Sequence, residues 1–291
     1  MTDLVTLRRA YAEELRTVAR LRSEALVEAF ARVPREHFLG PGPWQIVVRA
    51  ALDHVEYQAT EDADPGRLYH NVLVAIDANR MLNNGQPAGL ASWIDALDLK
   101  AGETAVHIGC GTGYYTAILA DIVGSTGRVV AVEIDPELAD RACTNLAYLT
   151  HVEVHQGDGG EFNVGAADAI FVNAGATHPR SVWIDSLRPA GRLLLPITAA
   201  KNTDGIGVGG MVLITNGRAG LAAKVLSPVA IFPCLGARDP DLNKLLSQKS
   251  GAEWLAIRSV RREAHDKDDT CWLHTPEGCL SSVPLASDSA A

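Results

Sequence analysis

Three glycines at alternate positions, Gly109, Gly111 and Gly113, follow a short apolar run that ends at Ile108. A glycine loop between a strand and a helix lets the backbone approach a ligand closely, and the helix start offers N–H donors. Dinucleotide enzymes hold a pyrophosphate with the spacing GxGxxG, whereas this chain has GxGxG. The shorter spacing favours a cofactor without phosphate, whose amino-acid part lies against the loop. A tight turn that binds nothing is the alternative.

Carboxylates follow the next two predicted strands. Glu133 lies 20 residues after Gly113, where an acid can accept hydrogen bonds from both hydroxyls of a ribose. Asp158, beside Gly159, can accept from the amino group of an adenine, or can simply hold an Asp-Gly turn. Because open parallel sheets bind ligands at the carboxyl ends of their strands, we expect these groups to share one edge.

Strands and helices alternate between residues 103 and 198, which predicts an α/β fold with a doubly wound, mostly parallel sheet. We divide the chain into an N-terminal helical lid with the acceptor site (1–98), a cofactor-binding core (99–235) and a C-terminal extension (236–291). The predicted strands are Thr104–Ile108, Arg128–Ile134, Val152–His155, Ala169–Asn173, Arg192–Pro196, Met211–Thr215 and Lys224–Phe232. The predicted helices are one or two within Leu4–Ala31, then Pro87–Leu97, Tyr114–Val123, Pro136–Leu149, Arg180–Leu187, Asp239–Gln248 and Glu253–Glu263.

The composition limits the class of protein. With 47% apolar and 21% charged residues, the 291-residue chain is typical of a globular protein with a full core. A net charge of -9 argues against general binding of nucleic acids. No apolar run is long enough to cross a membrane, and the charged N-terminus does not look like a signal peptide. Five cysteines without a CxxC pair favour reduced thiols, so we expect a cytoplasmic protein.

Several segments resemble the protein-L-isoaspartate O-methyltransferases, a family of class I S-adenosylmethionine-dependent methyltransferases. The resemblance extends from about Leu26 to Pro196 and implies a Rossmann-like fold and S-adenosyl-L-methionine as cofactor. It also implies transfer of a methyl group to oxygen, with a peptide carboxylate or a small molecule as acceptor. The matching segments are Ala31–Phe38, Leu99–Glu103, Gly113–Ala120, Gly157–Gly159 and Leu187–Pro196.

The resemblance also implies which residues bind the cofactor. It assigns the three loop glycines to the methionine side, Glu133 to the ribose, and Asp158 with Gly159 to the adenine. His107 stands where the family has an acid, so its neutral imidazole would have to accept a hydrogen bond from the cofactor's ammonium group. The neighbouring residues expected to complete the cofactor site are Tyr114, Ile134 and Asn173.

One departure from the family concerns the methyl acceptor. The family carries a serine two residues before a proline at this site, and an ungapped count places Gly85 and Pro87 on those positions. Because glycine has no hydroxyl group, we predict that an isoaspartyl peptide is a poor substrate.

Three residues are candidates for contact with the acceptor. We predict that His178 is a general base or substrate ligand, that Asn173 orients substrate or cofactor, and that Asn84 helps to hold a polar substrate. The alternatives are that His178 caps the turn before Pro179 and that Asn84 belongs to a simple polar loop.

Histidines and cysteines cluster near the C-terminus, at positions 265, 271, 274 and 279, but their spacing matches no standard zinc finger. We therefore predict no metal site. Two other functions stay open: a protein that binds the cofactor without turnover, and an oxidoreductase with a nucleotide cofactor.

Overall fold

The computed structural model describes residues 3–50, 55–200 and 205–286. The α helices are α1 (Leu4–Val18), α2 (Glu24–Arg32), α3 (Pro87–Leu97), α4 (Tyr114–Val123), α5 (Pro136–Leu146), α6 (Ser181–Asp185), α7 (Pro240–Ser247) and α8 (Gly251–Trp254). The strands are β1 (Gln45–Ala50), β2 (Val55–Ala59), β3 (Ala75–Asp77), β4 (Leu82–Asn83), β5 (Thr104–Ile108), β6 (Arg128–Glu133), β7 (Val152–Gln156), β8 (Ala167–Val172), β9 (Leu187–Ala199), β10 (Gly207–Gly217), β11 (Gly220–Ile231), β12 (Ser259–Arg261), β13 (Cys271–Thr275) and β14 (Gly278–Ser281).

The chain forms two compact units. The first comprises residues 1–103 and 110–156, and the second comprises residues 104–109 and 157–291. The three functional segments predicted from the sequence divide the chain differently, and they stay a prediction.

In the first unit, the N-terminal segment forms two capped helices, as predicted. The side chain of Asp3 accepts a hydrogen bond at the start of α1, and Ser23 does the same for α2. Such caps satisfy helix N–H groups and typically stabilise a helix by about 1 kcal/mol. The buried Asp95 on α3 accepts from the backbone N–H groups of Arg22 and Ser23 at 3.0 and 2.8 Å, which fastens α3 to the link between α1 and α2.

An aromatic core holds the start of α4 in place. Tyr114, the first residue of α4, packs against Phe30 and Phe38, and Tyr11 packs edge-on against Phe30 and Tyr69. Aromatic pairs of this kind add about 0.5–1.5 kcal/mol each beyond simple burial. Packing against this core therefore fixes the position of Tyr114 at the start of α4.

Three pairs of strands complete the first unit. β6 and β7 are parallel, β1 pairs with β2 in antiparallel fashion, and β3 pairs with β4 in the same way. All residues of β6 except Arg128 are buried, as expected of a parallel strand covered on both faces.

The second unit is built on a sheet with the strand order β13-β14-β12-β11-β10-β9-β8-β5. β8 pairs in parallel with both β5 and β9. The remaining pairs of neighbours in this order, from β9 and β10 to β14 and β13, are antiparallel. The predicted strands at 211–215 and 224–232 are confirmed as parts of β10 and β11. The sequence did not predict β12, β13 or β14.

The helix predicted over Glu253–Glu263 is wrong. α8 ends at Trp254, and Ser259–Arg261 forms β12, which pairs with β11 and β14. Ser259 and Val260 are buried in this ladder, so tertiary pairing overrides the helical spacing of the apolar residues. Among the described helices, none is long and apolar enough to cross a membrane.

Candidate functional site

The glycine loop joins β5 to α4. Gly109, Gly111 and Gly113 have φ values of 74, 56 and 96°. A Cβ atom on Gly113 would lie 2.8 Å from Cδ1 of Leu146, so the position is closed to larger residues by both backbone and packing. The loop therefore depends on glycine for its shape.

Glu133 closes this loop from the end of β6. Its carboxylate accepts hydrogen bonds from the N–H groups of Gly111 at 2.7 Å and Asp135 at 3.1 Å. Burial raises the pKa of Glu133 above its ordinary value, although these N–H groups act in the opposite direction. Among the described residues, no ion pair joins Glu133 to a cation. Since a carboxylate can accept about four hydrogen bonds, capacity remains for a donor from a ligand.

Ile134 and Tyr114, two predicted cofactor contacts, differ in accessibility. Ile134 is 39% exposed at the end of β6 and offers an apolar surface. Tyr114 is only 1% exposed and is held in the aromatic core. The aromatic core encloses this ring, and contact of Tyr114 with the cofactor stays a prediction.

His107 lies on β5, which pairs with β8 in the second unit's sheet. Its ring is fully buried and stacks on Phe171 of β8, with ring centroids 5.1 Å apart and planes 10° from parallel. Burial lowers the pKa of His107 to about 3, so the imidazole is neutral, as an acceptor would have to be. Contact with the cofactor stays a prediction.

The β3–β4 hairpin, which precedes the predicted acceptor residues Asn84 and Gly85, lies near the glycine loop within the first unit. Ile76 of β3 is the nearest side chain to the space above Gly111, 3.8 Å from where a Cβ atom would stand. Its carbonyl accepts from Arg141 of α5 at 3.2 Å, and Arg80 pairs with Asp135. The β3–β4 hairpin is thereby fixed beside the loop and the start of α5.

Asn84 follows this hairpin and has an unused acceptor. Its side chain is 8% exposed, and within the described residues its Oδ1 atom is buried without a hydrogen-bond partner. An unsatisfied buried acceptor costs about 1–3 kcal/mol, which a donor from a ligand would relieve. Asn83, in contrast, is bonded to Tyr57 and to the carbonyl of Met81.

Gly85 has a backbone conformation that disfavours the family's serine. Its φ is +78°, and a Cβ atom there would lie 3.0 Å from Cδ2 of Leu90. The hydroxyl of Tyr115 donates to the Gly85 carbonyl at 3.4 Å. The loop is therefore shaped around a glycine rather than merely lacking a hydroxyl.

In the second unit, Asp158 holds the turn that follows β7. Its Oδ1 accepts from the N–H of Gly160 at 2.8 Å, and the indole of Trp183 donates to the Gly159 carbonyl at 2.7 Å. The Asp-Gly turn foreseen as an alternative is thus present. A further role of Asp158 and Gly159 toward adenine stays a prediction.

His178 and Asn173 lie in and before the loop that follows β8. The half-buried Asn173 directly follows this strand, and its N–H bonds the Ile108 carbonyl at 2.8 Å. His178 is 5% exposed, with Nδ1 3.0 Å from the Thr177 hydroxyl and Nε2 3.2 Å from Glu277. Both ring nitrogens of His178 therefore have hydrogen-bond partners within the protein, which favours a structural role in this loop over a role as general base.

Glu277, at the tip of the β13–β14 hairpin, was not predicted as a site residue. It accepts from Arg180 at 2.5 Å, from the Ser181 N–H at 2.7 Å and from His178. Burial raises the pKa of Glu277, but the Ser181 N–H, His178 and Arg180 outweigh it, so the pKa lies below its ordinary value. Its partners are 96 to 99 residues away, and no sequence signal joins them.

Arg35 lies in the Ala31–Phe38 segment and has a structural role. It is fully buried and donates to the carbonyls of Leu68 at 2.8 Å, His70 at 3.2 Å and Val72 at 2.8 Å. The available signal in the sequence is that Arg35 lies within Ala31–Phe38, a segment that resembles the family. Its function is to shape the segment that leads into the β3–β4 hairpin.

The prediction of no metal site rested on spacing alone. In the structure, candidate ligand atoms of His265, Cys271, His274 and Cys279 all lie within 4.8 Å of one another. Spacing along the chain was therefore a poor guide to their separation in space.

Comparison with known proteins decides the family. Residues 8–207 match the family model for protein-L-isoaspartate(D-aspartate) O-methyltransferase. The chain belongs to this family. The match ends where β10 begins, so β11 to β14 lie outside it.

Several archaeal relatives carry the same name. The chain is 34% identical over 146 residues to the protein-L-isoaspartate O-methyltransferase of Methanococcus aeolicus, covering 49% of this chain and 64% of that one. It is 30% identical over 195 residues to that of Methanopyrus kandleri, covering 65% and 76%. A protein-L-isoaspartate O-methyltransferase 2 of Archaeoglobus fulgidus is 38% identical over 115 residues, covering 38% of this chain and 52% of that one. The chain thus spans less than two thirds of the first and last of these relatives.

Solved structures confirm the fold class. One protein-L-isoaspartate O-methyltransferase aligns with a TM-score of 0.57 at 21% identity, covering 83% of this chain and 68% of that one. Another, from Plasmodium falciparum and in complex with S-adenosyl-L-homocysteine, aligns with a TM-score of 0.57 at 17% identity, covering 78% and 97%. The predicted methyltransferase-type α/β fold is confirmed.

Proposed function

We propose that the protein is an S-adenosyl-L-methionine-dependent O-methyltransferase that acts on a carboxylate of a peptide or of a small molecule. The observation that carries the proposal is the buried carboxylate of Glu133, which holds the glycine loop and retains acceptor capacity. Membership of the family supports the reaction, and the Plasmodium falciparum relative binds the demethylated cofactor.

The residues of the first unit suit the cofactor chemically. The remaining lone pairs of Glu133 would accept from the ribose hydroxyls, as a carboxylate at this strand end does in related folds. Gly111 and Gly113 would let the methionine part lie against the backbone, and exposed Ile134 would offer an apolar surface to the purine. From the second unit, we propose adenine contacts for Asp158 and Gly159.

The remaining predicted residues concern the methionine part of the cofactor and the acceptor. Gly109 would adjoin the methionine part, and His107 would accept from its ammonium group. Asn173 is proposed to orient the cofactor or the acceptor. These three assignments rest on the family resemblance and on their places at or beside the ends of β5 and β8.

The chemistry demands little of the protein. When bound, S-adenosyl-L-methionine supplies a methyl group that passes to an acceptor oxygen as its carbon–sulfur bond breaks. A carboxylate acceptor is already nucleophilic and needs no base. This agrees with a His178 whose ring nitrogens are both engaged. The protein contributes by positioning the methyl acceptor relative to the cofactor. The buried Oδ1 of Asn84 is suited to accept a hydrogen bond from an N–H group of that substrate.

The proposed acceptor differs from the family's standard one. Gly85 offers no hydroxyl, and its backbone conformation resists a serine. We therefore propose that an isoaspartyl peptide is a poor substrate, and that another carboxylate is preferred. We also propose a cytoplasmic location, consistent with five cysteines, all within the described residues, that form no disulfide.

The test has two stages. Calorimetry should show that the protein binds S-adenosyl-L-homocysteine and does not bind a nicotinamide dinucleotide. A radiolabelled methyl-transfer assay should then compare an isoaspartyl peptide, an aspartyl peptide and small carboxylates. We expect transfer to a carboxylate and little to the isoaspartyl peptide. Binding without turnover on any acceptor would support a cofactor-binding protein, and nicotinamide binding alone would support an oxidoreductase.

A further inference from the structure

Four side chains of the kinds that bind zinc meet at the β13–β14 hairpin of the second unit. The candidate ligand atoms are one ring nitrogen each from His265 and His274 and the sulfurs of Cys271 and Cys279, all within 4.8 Å of one another. We propose that these residues bind one zinc ion. The site lies beyond residue 207, where the family match ends, and does not rest on the proposed methyl transfer.

A β-bulge places three of the ligands on one face of the hairpin. Cys271 stands opposite Ser281, and His274 stands opposite Cys279, with a register shift between residues 271 and 273. Directly opposed residues share a face, and so do residues 279 and 281, two apart on one strand. In a regular strand, residues three apart would point to opposite faces. The extra residue at the bulge, Trp272, brings Cys271 and His274 to the same side.

The separations are close to those of a tetrahedral zinc site. Cys271 Sγ lies 3.5 Å from Nε2 of His265 and 3.8 Å from Nδ1 of His274. Zinc bonds of about 2.3 Å to sulfur and about 2.0–2.1 Å to nitrogen put these ligand atoms about 3.6 Å apart in a tetrahedron. Small movements of side chains would therefore complete the coordination.

Hydrogen bonds orient the first ligand toward the cluster. Nδ1 of His265 lies 2.8 Å from the carbonyl oxygen of Glu263. A carbonyl only accepts, so Nδ1 carries the proton and Nε2 presents its lone pair to the cluster. Histidines that bind zinc usually donate their second N–H in this way.

Two N–H donors face the sulfur atoms. The backbone N–H of Asp268 and the guanidinium of Arg261 lie 3.3 and 3.2 Å from the sulfur of Cys271, and Arg261 also lies 3.6 Å from that of Cys279. Donors to sulfur stabilise thiolates, the form that binds a metal. Two thiolates and two neutral imidazoles form a donor set typical of structural zinc.

The metal would brace the hairpin that carries Glu277. That residue lies between Thr275 and Gly278 at the tip of the hairpin and holds Arg180 and Ser181. A zinc ion would tie the hairpin to the preceding segment at His265 and so fix the base from which Glu277 reaches the loop.

Metal content tests the proposal directly. The full chain, purified under reducing conditions without chelator, should carry about one zinc per molecule by mass spectrometry of the elements. The double variant Cys271→Ser/Cys279→Ser should lose nearly all of it. Cys143→Ser, which changes an exposed cysteine on α5, is the matched control and should retain the metal.

A second measurement covers the case in which the double variant does not fold. Cobalt(II) added to the metal-stripped wild-type protein should give thiolate-to-cobalt charge-transfer bands that saturate at about one equivalent and vanish when zinc is added. The proposal is overturned if cobalt keeps the spectrum of its hydrated ion, or if zinc stays with the folded double variant. It is also overturned if a disulfide joins Cys271 to Cys279 under these reducing conditions.

Discussion

Glu133 in the first unit and Glu277 in the second each secure a loop by accepting hydrogen bonds from the backbone, but their surroundings differ in charge. Glu133 bonds two N–H groups and, among the described residues, forms no ion pair, and burial raises its pKa. Glu277 meets Arg180 and His178 as well as an N–H, and its pKa is lowered despite burial. Glu277 accepts three hydrogen bonds from the protein and Glu133 accepts two, and we propose that a ligand donates to the remaining acceptors of Glu133.

The two loops are also held in different ways. The loop next to Glu133 is shaped by glycines, with φ of +96° at Gly113 and a close neighbour in Leu146. The loop next to Glu277 is held by this single carboxylate, which pairs with His178 and Arg180 from a hairpin distant in sequence. Substitution of Glu133 should therefore mainly affect ligand binding, whereas substitution of Glu277 should mainly affect stability.

The largest loss of stability is expected for Glu277→Ala. It leaves Arg180 and the N–H of Ser181 without their acceptor in a region where the Glu277 side chain is 26% exposed. We expect the free energy of unfolding to fall by about 2–3 kcal/mol, as for hydrogen bonds to charged groups. Chemical denaturation measures this, and Glu277→Gln, which keeps an acceptor oxygen, should lose less. Wild-type stability of the alanine variant would remove the contrast between the two glutamates.

Gly113→Ala should cost somewhat less stability and also impair cofactor binding. The left-handed backbone costs a side chain about 1–2 kcal/mol, and Leu146 must also move. Gly40→Ala is a matched control, since Gly40 has φ of +73° and no atom within 4 Å of the added Cβ. Equal losses of stability and equal cofactor affinities in the two variants would show that packing at Gly113 is unimportant.

Gly85→Ser should lower stability by about 1 kcal/mol, through the same backbone strain. We expect no gain in methylation of an isoaspartyl peptide, because the strained loop would not present the hydroxyl as a relaxed one does. Thermal unfolding and the radiolabel assay measure the two effects. Efficient isoaspartyl methylation by the variant would mean that only the hydroxyl was missing.

The smallest effects concern pH, and the two glutamates should differ in sign. The stabilisation from Glu277, whose pKa is lowered, is complete above the ordinary glutamate pKa and is lost as pH falls through the lowered value. The contribution of Glu133, whose pKa is raised, is most favourable at low pH and declines as pH rises from the ordinary value to the raised one. Unfolding free energies against pH for Glu277→Gln and Glu133→Gln, each relative to wild type, check this. Slopes of the same sign would contradict the assigned environments.

How much the sequence predicts depends on the distance between interacting residues. The bounds of β5 and α4 were predicted as the structure has them, because a glycine loop and local apolar patterns define both. The role of Glu277 was not predictable, since its partners lie 96 to 99 residues away. The Cys and His cluster depends on a bulge at Trp272, and spacing alone gives no sign of a bulge.

We propose that Glu133 binds the ribose of an S-adenosyl cofactor. Calorimetric titration of S-adenosyl-L-homocysteine into wild type, Glu133→Ala and the exposed control Glu137→Ala tests it most directly. We predict that Glu133→Ala weakens binding by about 1–3 kcal/mol, or about 5- to 150-fold, while Glu137→Ala binds as wild type does. Unchanged affinity in a folded Glu133→Ala protein, or no binding by the wild type, would show that Glu133 does not hold the cofactor.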